Sequence, residues 1–90
     1  MIIRWGFDIP QPDDKCHLSV WYSIDGAERQ HAITYHVFYC DGPINPYVDI
    51  LEKVFPGRVV EFTQEDSTFL PVIPGTMPFA MEVIKVYEPA

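Results

Sequence analysis

The chain reads as an α+β protein: one small domain, an antiparallel sheet of about five to six strands with a single helix packed on it. Three observations carry that expectation. Asp25-Gly26 stands between two long β-type runs, the strongest short-range hairpin signal there is. Only one stretch, Pro46 to Phe55, has helical spacing of its apolar residues. The order of elements, β-β-β-α-β-β, is that of a sheet with one helical layer. Ninety residues make a single domain spanning positions 1–90. A chain of this size buries only about 60–65% of its unfolded surface, so its core must be dense. A composition of 48% hydrophobic and 14% aromatic residues supplies such a core and excludes disorder.

Residues 2–9 alternate, with Ile3, Trp5, Phe7 and Ile9 on one face and Ile2, Arg4, Gly6 and Asp8 on the other. That pattern is a half-buried strand. Pro10 and Pro12 remove ladder donors, and Asp13-Asp14 favours a turn. The hairpin follows, from Cys16 to Cys40. A two-residue turn at Asp25-Gly26 sets Ile24 against Ala27, Val20 against His31 and His17 against Thr34. One face then holds Cys16, Leu18, Val20, Tyr22 and Ile24 with His31, Ile33, Tyr35, Val37 and Tyr39, and is the core face. The other holds His17, Ser19, Trp21 and Ser23 with Glu28, Gln30, Ala32, Thr34, His36 and Phe38. In this register Cys16 and Cys40 point to opposite sides, so two free thiols are expected.

Asn45 is a favoured N-cap and Pro46 fits the first helical position. Tyr47, Ile50, Leu51 and Val54 form one apolar stripe, and Pro56-Gly57 stops the helix. Arg58 to Thr63 alternates as a strand, and residues 64–67 turn. The stretch 68–74 is apolar, but Pro71 and Pro74 confine it to an edge or an extended loop. Phe79 to Tyr87 is β-branched and aromatic enough for a last strand.

Thirteen acidic against six basic residues give a formal charge of −7. That field repels phosphate backbones and anionic lipid, so neither direct nucleic-acid binding nor a membrane surface is expected. A protein partner with a basic patch fits the charge, although the same charge also serves plain solubility. Mimicry of nucleic-acid phosphates, filling a basic groove, is a third use for it. The first residues lack a basic leader and no run approaches the ~20 apolar residues of a span, so the cytosol is the expected compartment.

His17 and His36 are the sharpest chemical pair, diagonal neighbours on the outer face in the expected register. With Thr34 as hydroxyl partner and Cys40 as a third ligand, they would make a small-ligand or metal site. Zinc normally takes at least three protein groups, and two histidines on a wet sheet face are the ordinary explanation of such a pair. His31 falls on the core face by parity and is expected to be a hydrogen-bonded core histidine. Cys16 and His17 are strand neighbours that point apart, and Asp41 beside Cys40 disfavours a thiolate. No phosphate loop, nucleotide fingerprint or calcium loop is present, so no cofactor is expected and the balance falls against an enzyme.

Binding is the better expectation. Trp21 and Phe38 form an aromatic cluster on the nominal outer face, which the helix either covers or leaves open. Phe69, Leu70, Met77 and Phe79 lie in a proline-stiffened apolar stretch that loses little entropy on docking. These six residues are the expected contacts of a small protein-binding module, of inhibitor, immunity or accessory type. An exposed edge strand can also pair two copies into a homodimer.

Overall fold

The structure, a computed structural model, describes residues 1–8, 17–36, 45–65, 73 and 75–89, with positions 17 and 36 described by their backbone alone. Five strands and one helix follow in the expected order: β1 (Ile2–Asp8), β2 (His17–Ile24), β3 (Gln30–His36), α1 (Pro46–Val54), β4 (Val59–Gln64) and β5 (Phe79–Tyr87). They form one antiparallel sheet ordered β3-β2-β1-β5-β4. β1 is the central strand, flanked by β2 and β5, and the α+β expectation holds.

Alternation decides which side of β1 is buried. Ile3 and Trp5 point to the face that also receives Val20 and Tyr22 from β2 and Met81 from β5, and the helix closes this face with Ile50 and Leu51. Trp5 is the hub: its ring stacks on Phe79 at 4.4 Å and meets Tyr47 edge-on at 5.0 Å. Tyr47 in turn stacks with Phe62 at 5.9 Å, which ties β4 to the helix. Such aromatic pairs add roughly 0.5–1.5 kcal/mol beyond their buried area. Among the described residues the Trp5 indole N–H, buried in this cluster, finds no acceptor.

The helix matches its sequence pattern, with Ile50 and Leu51 buried and Tyr47 and Val54 partly so. Asn45 occupies the N-cap position but makes no side-chain capping bond. Pro46 starts the helix without that help, because its missing N–H leaves one orphan donor fewer. At the other end Phe55 N–H donates to the Leu51 carbonyl at 2.8 Å, and Gly57 takes a φ of 71° that ends the turn.

The hairpin turn forms as expected and its register does not. Asp25 and Gly26 both have positive φ, 49° and 77°, and Ala27 N–H donates to the Ile24 carbonyl at 2.9 Å. Pairing with β2 nevertheless begins only at Gln30. Val20 lies opposite Ile33, not His31, and His17 opposite His36, not Thr34. The physical reason is a bulge: the register slips between Val20 and Trp21, leaving Ala32 as the extra residue of β3. Because the slip beyond the bulge is by two, Ile33 and Tyr35 stay on the core face as expected. Before it the faces exchange. His31 moves outside beside Trp21, and the expectation of a core histidine is corrected: it is exposed.

A second bulge interrupts the other hairpin, where Phe62 pairs with Val83 and Glu61 with Lys85, leaving Ile84 extra and 56% exposed. The stretch 75–78 runs on beside the end of β1. Gly75 N–H donates to the Phe7 carbonyl at 2.8 Å, and Gly6 permits the approach. A Cβ on Gly6 would stand 1.8 Å from the Thr76 carbonyl oxygen.

Candidate binding face

The helix covers the face of Val20 and Tyr22, so Trp21 between them stands on the opposite face of the sheet. Among the described residues no helix covers that outer face. Trp21 is half-buried there, with its ring 5.2 Å from that of His31 and inclined at 70°. Across from it on β1 is Gly6, whose missing side chain leaves room for the backbone of Thr76 and Met77. The sequence left open which side of the sheet Trp21 occupies, and the docking of α1 decides it.

Cross-strand pairing builds a row from Trp21 outward. Trp21 pairs with His31, Ser19 with Thr34 and His17 with His36. His31 Nε2 lies 2.8 Å from Thr34 Oγ1, and the Ser19 and Thr34 hydroxyls are 3.5 Å apart. Residues 31 and 34 would face opposite ways on a regular strand; the Ala32 bulge places them on one face. All three histidines of the chain therefore belong to this one ladder. His31 was missed as a member of the row, since nothing local in the sequence announces a bulge.

The remaining expected contacts separate. Phe79 is drawn inward onto Trp5 and belongs to the core rather than to an exposed surface. Met77 is half-buried, and its carbonyl lies 3.4 Å from an Arg4 Nη2 donor. Phe38, Phe69, Leu70 and Cys40 lie outside the described residues, as does Cys16. The structure brings Trp21 and Thr34 to one face and His17 and His36 to one rung. It turns Phe79 away to the core face, while the backbone of Met77 passes over Gly6, the residue that pairs with Trp21.

Further along the outer face Ile2, Arg4, Thr63, Gln64, Glu65 and Glu82 border a cavity of about 230 Å³. Toward the other end of the β4–β5 pair Tyr87 donates to Glu61 Oε2 at 3.1 Å, and the Lys85 ammonium sits 4.9 Å from the Tyr87 ring centre. The Glu61 carboxylate holds the Tyr87 phenol above its ordinary pKa of 10.0. Among the described residues no group of three or more His, Cys, Asp or Glu side chains converges as a metal site would require. No helix among them is long and apolar enough to cross a membrane. No family model matches the chain, and no curated protein or solved structure is detectably similar to it.

Proposed function

We propose that this chain is a small acidic protein-binding module, of inhibitor, immunity or accessory type, that acts by occupying a partner's surface. One observation carries the proposal: Trp21 is half-buried on a sheet face that no described helix covers, beside the 75–78 stretch that passes over its partner Gly6. A rigid indole held on a strand is well suited to anchor a contact, because little side-chain freedom is left to lose. The charge of −7 supports a partner with a basic patch, whose encounter it would speed. A cytosolic location is part of the same proposal. The test is capture of a partner by tagged chain in its native host, repeated with Trp21→Ala. A salt-sensitive partner lost on a folded Trp21→Ala chain supports the reading. Retention of every partner by that variant, or its unfolding, sinks it.

One observation favours a second reading, a small-ligand or metal site. His17 and His36 are directly opposite in the ladder, closer than the diagonal relation their sequence positions suggest. Two histidine positions on one backbone rung suit a transition metal that completes its shell from solvent or ligand. Elemental analysis of the purified chain decides it: stoichiometric metal, lost in folded His36→Ala, supports the site, and metal-free protein ends it.

A further inference from the structure

A groove separates α1 from the edge strand β4, bordered by Val48, Leu51, Glu52, Arg58, Val60 and Phe62, with a volume of about 200 Å³. Its floor is apolar, and Val48 on its helical wall is 58% exposed. β4 is the last strand of the sheet, and among the described residues nothing pairs with its outer edge. The direction of its free backbone groups follows from one bond. Glu65 N–H donates to the Ala80 carbonyl at 3.0 Å, so alternation along the strand aims the amides and carbonyls of Gln64 and Phe62 away from β5, toward the open edge. The side chain of Phe62 meanwhile packs toward the core beside the groove.

We propose that this edge takes an extended segment of another protein as a sixth strand, with apolar side chains dropping into the helix–strand groove at alternate positions and basic side chains between them. The alternation follows from strand geometry: every second side chain of an added strand meets Val60, Phe62 and Val48, and the rest share the outer face with Glu61 and Glu65. Charge complementarity selects basic residues for those outer positions, since Glu61 and Glu65 sit there on a chain of charge −7. The groove gives specificity and the backbone edge gives affinity. This inference rests on the protein-binding reading above, and assigns it a partner chemistry and a second contact surface.

The probe is a capped peptide of alternating valine and lysine, added to the whole chain and followed by amide hydrogen exchange. Exchange at the Phe62 and Gln64 amides should slow about tenfold at saturation, with Val48 and Leu51 signals shifting. The same peptide N-methylated at alternate residues should give no protection, and a valine–glutamate peptide should bind far more weakly. Glu61→Lys should weaken the lysine peptide about fivefold. Peptide that leaves the Phe62 and Gln64 amides unprotected, or protects other strands instead, overturns the inference. So does a concentration-dependent loss of those amide signals without peptide, which would assign the edge to a second copy of the chain. Absence of peptide protection with a partner still lost on Trp21→Ala removes the groove and keeps the module; protection without any Trp21-dependent partner removes the Trp21 face instead.

Discussion

Asp25 and Ile2 close a reciprocal pair: the Asp25 amide donates to the Ile2 carbonyl at 2.8 Å, and the Ile2 amide donates to Asp25 Oδ1 at 2.8 Å. The residue that tolerates positive φ in the hairpin turn therefore also extends the β1–β2 ladder by one rung beyond Ile3–Ile24. Asp25→Ala loses both the tolerance for φ of 49° and the acceptor for Ile2. It should cost about 1–3 kcal/mol in urea unfolding, whereas Asp25→Asn, which keeps both, should cost less than about 0.5 kcal/mol. Equal losses for the two would show that the pair contributes nothing.

Gly6→Ala should be among the more damaging small substitutions. The added methyl meets backbone, the Thr76 carbonyl, rather than a side chain that can swing aside. Either the 75–77 turn lifts, breaking the Gly75–Phe7 bond, or β1 bends; about 1–3 kcal/mol is expected. Thermal unfolding measures the loss, and faster exchange of the Gly75 amide identifies the lifted turn. An unchanged melting temperature would refute the close approach.

The two tryptophans should part company. Trp5→Ala removes the ring that Phe79 and Tyr47 pack against and should cost about 3–5 kcal/mol. Trp21→Ala, on the face that no described helix covers, should cost under about 1.5 kcal/mol and leave the fold intact. Comparable losses would mean that Trp21 is core.

Asp49 makes stability depend on pH. The Tyr35 hydroxyl donates to its carboxylate, and burial pushes the carboxyl above its ordinary value of 3.8. The folded chain thus holds this proton more tightly than the unfolded chain does. The resulting contribution is full below about pH 4 and is lost as pH rises through the raised folded value. Asp49→Asn, which resembles the protonated group, should gain stability relative to the parent between about pH 4 and about pH 7. Parallel stability curves across that range would contradict the shift.

Much of the fold was legible because its signals are local. Asp25-Gly26 specifies its turn by backbone geometry alone, and Pro46 with the Tyr47–Val54 stripe specifies the helix. β5 runs from Phe79 to Tyr87 as its composition suggests. The β2–β3 register was not legible. It depends on residues 27–29 remaining unpaired and on the Ala32 bulge, and the Ser23 hydroxyl bond to the Ala27 carbonyl at 2.6 Å belongs to that tertiary arrangement. A shift of two kept Ile33 and Tyr35 inside, so the core survived the error while His31 did not. The inward turn of Phe79 did have a signal: its alternation with Met81 and Val83 places all three on one side of β5. The side on which the helix docks had none, for Trp21 and Tyr22 are both aromatic and each would fill a core.

The central place of β1 carries a kinetic consequence. Ile3 lies beside Met81, so the middle of the sheet joins the first of its strands to be synthesised to the last. Until that late strand arrives, β1 has a partner on one flank only, and loop closure across the long stretch between Ile3 and Met81 must precede the gain from pairing. Folding in the millisecond-to-second regime is expected. An emerging nascent chain should offer its unmatched Ile2–Trp5 flank to chaperones until synthesis of the Phe79–Tyr87 segment is complete.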